Sequence, residues 1–149
     1  MILLFHALVS WYLLGMIWTI QIVHYPLFAF VGSETYEEFQ AKHVEVIGVL
    51  LVVPWLVEGL SALVLLVCLS GSLRKLAVVG AVLMASIMAL SAFVSAPAHG
   101  DLASGFNAEV HNDLMFGNLI RSILWTARGC IAAAILWITV TSVANKVET

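Results

Sequence analysis

Charge is what this sequence lacks most: Lys, Arg, Asp and Glu make up 10% of its 149 residues, against 62% hydrophobic ones. That shortage excludes a soluble domain, which needs far more polar surface to cover a core of this size. Only two cysteines are present, Cys68 and Cys130. They fall at different expected depths of apolar runs, so they read as small packing residues and not as a disulfide. HExxH, ExxH and CxxC patterns are absent, so no metal site can be read from a local motif. The first apolar run has no basic segment before it and no small-residue cleavage site after it. It is therefore expected to be a retained helix and not a secretion signal. No nucleic-acid partner is expected of a chain with six basic residues and a net charge of −3.

What the sequence does have is length in its apolar runs. Four of them, about 2–31, 44–69, 76–96 and 118–143, each suffice to cross a hydrocarbon layer at ~20 residues per span. With a mean hydropathy of +1.07, residues 1–149 read as one integral membrane domain. The expected fold is all-α, a four-helix transmembrane bundle running up-down-up-down, with helices two and four projecting beyond the outer membrane face. Arg74 and Lys75 between runs two and three, with Lys146 in the tail, place both termini in the cytoplasm by the positive-inside rule, against Lys42 on the other side. An integral membrane location is expected. Membrane lipid is the expected partner, and a homo-oligomer stays open.

The stretch from His111 to Arg128, HNDLMFGNLIRSILWTAR, organises the rest. His111, Asn118, Arg121, Trp125 and Arg128 are spaced by seven, three, four and three, close to one stripe of a helix. Two arginines on such a stripe must face protein or water. Glu58 lies as deep in run two as Arg128 does in run four, each three residues after a tryptophan, so a buried Glu58–Arg128 pair is expected. That pair also has a purely structural reading, fixing helix register. Thr35 and Glu38 fit a capping box for helix two. Pro54 invites a kink there, and Pro97 is expected to end helix three. Ala81, Ala85 and Ala89 recur every four residues and suit close helix packing, while Ser91 and Ser95 can bond back to their own helix.

His24, His43, His99 and His111 all fall on the outer side of this topology. His24 and His43 are nearly equidistant from the 32–35 turn and so should lie at similar depth. A faint internal repeat runs through the same residues. His24 is two residues before Pro26 and His99 two after Pro97, and Gly32 and Gly100 each precede a histidine by eleven. Duplication and coincidence both remain open.

Three functional readings share this region. In the first, His24, His43, His99 and His111 hold a divalent transition metal (zinc, iron or copper) with carboxylates nearby. In the second, His24 and His43 are axial ligands of a b-type haem. The third drops the metal. Gln21, Tyr25, Asn118 and Arg121 then bind a substrate or an anionic or quinone-like lipid, with Arg121 suited to a carboxylate or phosphate. Against all three stands the plain alternative of interfacial histidines and a polar network that locks the bundle.

HYPLFAFVGSETYEEFQAKH, PAHGDLASGF and NLIRSILWTAR resemble a widespread group of uncharacterised bacterial four-helix integral membrane proteins, over most of the chain. This resemblance implies a bacterial inner membrane as the location. The pattern falls on His24 to Phe28, His43, Glu58, Pro97 to Gly105 with His99, and Asn118 to Arg128. The group is distantly similar, in architecture only, to anthrone-oxygenase-like membrane proteins. That similarity implies an oxidoreductase and transfers no catalytic residue. The combined expectation is a metal-dependent membrane oxidoreductase acting on a hydrophobic small molecule, with a non-enzymatic haem-, quinone- or lipid-binding accessory subunit as the alternative.

Overall fold

A computed structural model describes residues 1–147, so the last two residues of the expected single domain, Glu148 and Thr149, lie outside the described residues. The fold is an all-α four-helix bundle. Helix one spans Ile2–Phe30, helix two Tyr36–Cys68, helix three Gly71–Leu102 and helix four Ala108–Val147. All four are long and apolar enough to cross a membrane. Each helix packs on its chain neighbours, and helix one closes the ring against helix four. The 31–35 and 103–107 connections share one end with the histidines, which we call the histidine end. The 69–70 turn, the start of helix one and the described end of helix four share the other.

The tightest approaches are made on helix four. A Cβ at Gly117 would sit 2.8 Å from Val94 Cγ1 on helix three, and one at Gly129 would sit 3.0 Å from Leu14 Cδ2 on helix one. The Trp11 indole N–H donates to the Gly129 carbonyl at 3.1 Å, and that of Trp18 to Thr126 Oγ1 at 3.0 Å. These contacts stitch helices one and four together in a medium that supplies no hydrophobic drive for helix association.

Helices one and three are irregular where the site lies, and proline is the reason. Residues Ile20–His24 and Ser91–Ser95 are single π turns, each ending two residues before a proline, Pro26 and Pro97. A proline lacks its N–H and its ring clashes with the carbonyl four residues back. Those carbonyls belong to Ile22 and Phe93, in the middle of the two π turns. Widening the turn relieves the clash, and π turns are common at functional sites for this reason. Pro97 therefore does not end helix three, as expected from sequence, because it occupies the first turn of the helical piece Ala96–Leu102 where no N–H is needed. Helix two continues through Pro54 without a break.

Several further local expectations are corrected. Thr35 is the N-cap of helix two but makes no capping bond; its hydroxyl donates to the Gly32 carbonyl at 3.3 Å. A side-chain cap stands on helix four instead, where Asn107 Oδ1 accepts from the N–H groups of Glu109 and Val110 at 2.9 and 3.1 Å. Helix three buries Ala77, Gly80 and Ile87, while Ala85 and Ala89 are exposed, so the alanine stripe is not its packing face. Cys68 and Cys130 are free and exposed, not interior packers.

Candidate functional site

The bundle interior holds two polar layers, one above the other along helix four. The lower layer centres on Arg128, which reaches across the diagonal to the fully buried Glu58 on helix two and donates through Nε to Oε1. Arg128 Nη1 donates to the Gly80 carbonyl on helix three, and Ser10 Oγ on helix one donates to Glu58 Oε1 at 3.2 Å. All four helices thus meet at one ion pair. A glycine stands at position 80 because a Cβ there would lie 3.2 Å from Arg128 Nη1. His6, one turn nearer the termini, is buried and bonds Ser61 Oγ through Nδ1 at 2.8 Å.

The upper layer holds the histidines. His24 Nε2 and His43 Nδ1 are 2.9 Å apart, and the His43 and His99 rings lie 4.9 Å apart centre to centre. Phe28 and Tyr25 pack edge-on against His43 at 5.0 and 6.2 Å. On helix two, the Gln40 amide N–H donates to the His99 carbonyl at 3.3 Å and to His99 Nδ1 at 2.9 Å. Because a carbonyl can only accept, this orients the amide, makes His99 Nδ1 an acceptor and leaves the ring proton on Nε2. His99 Nε2–H then donates to the Tyr25 hydroxyl oxygen at 3.0 Å.

Arg121 is 5% exposed, and its Nη1 donates to Ser95 Oγ at 2.9 Å and to Asn118 Oδ1 at 3.4 Å. The Tyr25 hydroxyl lies beside this guanidinium. Asn118 in turn donates to Gln21 Oε1 at 2.8 Å. The structure therefore joins Gln21, Asn118 and Arg121 in one hydrogen-bonded chain and sets Tyr25 next to it. Arg121 Nε is buried with no partner, and no carboxylate pairs with this guanidinium among the described residues. Below it opens a cavity of about 150 Å³, walled by Leu13, Ile17, Ile47, Leu51, Trp55 and Trp125, with Tyr25, His99, Ser95 and Arg121 at its polar end.

The four histidines expected to share one ion do not converge as a ligand set. His24 and His43 bond each other, and His99 spends both nitrogens on Gln40 and Tyr25. His111 turns away, donating from Nε2 to the Tyr25 backbone carbonyl at 2.8 Å, where it props the short 3₁₀ segment that follows the π turn. Among the described residues no group of three or more His, Cys, Asp or Glu is placed to hold a metal ion. His24 and His43, the pair read as axial haem ligands, meet directly through Nε2 and Nδ1 at 2.9 Å, closer than the about 4 Å that two axial bonds of ~2 Å would need between those two atoms.

Sequence reasoning gave Gln40 no role in the site. Ser95, expected to bond its own helix, instead accepts from Arg121 because the π turn swings it inward. Ser10 and Gly80, the remaining partners of the ion pair, carry no signal in the sequence beyond being small. Comparison of the chain with family models, curated proteins and solved structures finds no match.

Proposed function

We propose that this is an integral protein of a bacterial inner membrane, with both termini cytoplasmic, that binds a hydrophobic small molecule carrying an acidic or carbonyl oxygen. The observation that carries this reading is Arg121, a buried guanidinium without a counter-charge, with an unpartnered Nε, whose side chain lines an apolar cavity. An unpaired charge inside a membrane bundle is costly. An anionic or electron-rich oxygen from a ligand supplies the missing partner, and the apolar walls accept its body.

The same geometry equips the site for proton exchange. The Tyr25 oxygen already accepts from His99 Nε2–H and lies beside the Arg121 guanidinium, so its own hydrogen is free to serve a ligand oxygen at the cavity's polar end. The oxygen left behind after proton transfer would face those two donors, the kind of preorganised support that acid catalysis uses. Tyr25 is the proposed proton donor, His99 and Arg121 the groups that support it, and Gln40 the residue that holds the His99 tautomer.

The test uses purified protein in lipid nanodiscs titrated with 4-nitrobenzoate, a single-ring carboxylate whose nitro group quenches tryptophan. Saturable quenching of Trp55 and Trp125 is expected. Arg121→Gln should weaken binding at least tenfold, and Arg121→Lys should recover part of it by restoring the charge without the planar fork. Quenching that rises linearly and equally in wild type and Arg121→Gln would reduce the signal to partitioning and overturn the reading.

A further inference from the structure

The interior cavity is not sealed. Five of its residues, Ile47, Leu51, Trp55, Ala96 and His99, also line a groove of about 570 Å³ that runs outward between helices two and three. The outer part of that groove is walled by Val44, Gly48, Val52, Gly100 and Ala103, all exposed and so lipid-facing in a bundle that spans the membrane. Neither glycine has an atom within 4 Å of where a Cβ would sit, so the gap between the helices is open at both. A second groove of about 520 Å³, between helices one and two, touches the cavity only through Met16, Ile20 and Ile47, and shares none of its polar residues.

Size divides the ligand into two parts. A cavity of about 150 Å³ is on the scale of one that takes a single benzene ring. The groove beside it is nearly four times larger and almost wholly apolar. We infer that the ligand is a single-ring aromatic acid, phenol or quinone bearing a long aliphatic tail, and that it enters from the bilayer leaflet on the histidine side between helices two and three. Its ring oxygen meets Arg121 and Tyr25, and its tail lies out along the groove past Gly48 and Gly100 into lipid. This assignment rests on the ligand reading above and deepens it.

The energetics say what the groove does. Lipid is as apolar as the groove wall, so a tail moving from one to the other gains no hydrophobic free energy. The groove therefore acts as an exit slot that lets a tailed molecule seat its head, and contributes little affinity of its own. Filling the slot should exclude tailed ligands by sterics while sparing a bare head.

Two probes separate these parts, 4-methoxybenzoate as the head alone and 4-(dodecyloxy)benzoate as head with tail, each competed against 4-nitrobenzoate in nanodiscs and referred to its concentration in the bilayer. Wild type should bind both within about threefold of each other. Gly48→Phe combined with Gly100→Phe should leave 4-methoxybenzoate unchanged and weaken 4-(dodecyloxy)benzoate at least tenfold. Val46→Trp, which fills the groove between helices one and two, should change neither. Equal binding of both probes by the double variant overturns the slot, and so does a tail-specific loss in Val46→Trp. Failure of wild type to bind 4-methoxybenzoate at all is the separate outcome that removes the underlying ligand reading.

Discussion

At the scale of single residues, the two arginines of helix four illustrate opposite solutions to the same problem. Arg128 is answered by Glu58, and both are buried to 2% exposure or less. Arg121 is answered, among the described residues, by the neutral partners Ser95 and Asn118, with the Tyr25 hydroxyl beside it. For the Arg128 pair, removing one charge strands the other in a medium that cannot solvate it, at a cost of about 3–5 kcal/mol. Glu58→Gln and Arg128→Gln should each destabilise on that scale, while the double variant loses less than the sum of the two. A thermodynamic cycle measured by detergent unfolding reads the coupling, expected at about 1–3 kcal/mol. Additive losses would show that the two side chains act independently. Much of this layer was legible beforehand, because helices two and four start from the same end of the bundle and equal depth follows from counting residues along each. Ser10 and Gly80 were not, since a hydroxyl or a missing Cβ announces nothing until a partner stands next to it.

At the scale of elements, the decisive features are the two π turns. A proline in an apolar run is ordinarily read as a stop or a kink, and Pro97 was expected to be a stop. Instead the strain is relieved by one widened turn, which rotates the residues that follow it. The turns at Ile20–His24 and Ser91–Ser95 bring His24, Tyr25, Ser95 and His99 to face one another. Pro26→Ala returns an N–H donor for the Ile22 carbonyl and lets the π turn relax to ordinary α-helix, swinging Tyr25 away from His99 and Arg121. The expected result is unchanged helix content by circular dichroism with binding of 4-nitrobenzoate reduced at least tenfold. Wild-type binding in Pro26→Ala would mean that the turn does not depend on the proline. The parallel between the two turns adds to the spacing of Gly32 with His43 and Gly100 with His111, and gives the faint repeat a physical counterpart in both outgoing helices.

At the scale of the whole molecule, the packing is uneven in a way that suits the proposed site. Helix four is held closely by its neighbours through Gly117 and Gly129, whereas helix two is flanked by open grooves. Close approach at Gly117 leaves no room for a methyl group, because Val94 is stiff at χ1 and its Cγ1 would sit 2.8 Å away. Gly117→Ala should therefore destabilise the bundle by about 1–3 kcal/mol through overpacking, measured as a lower midpoint of thermal unfolding in detergent. Gly48→Ala, on the open side of helix two, should leave that midpoint unchanged or raise it, as a helical alanine replaces a glycine with space around it. An equal loss at both positions would mean that the groove is closed in the folded protein.

Composition and counting were enough to determine the class, the number of helices long and apolar enough to span, their alternation and the relative level of the polar residues along the bundle. Those properties follow from an apolar solvent and a fixed rise per residue, which act on every sequence alike. What only the tertiary structure decided is which polar atoms face each other. His24, His43, His99 and His111 share a depth, and depth alone allowed them a common ion. Rotation about each helix axis, set by two π turns and by glycine contacts, placed three of them together, turned His111 onto a backbone carbonyl, and left Arg121 without a counter-charge beside an open cavity. That rotation is a property of packing between helices, and one sequence read along its length does not contain it.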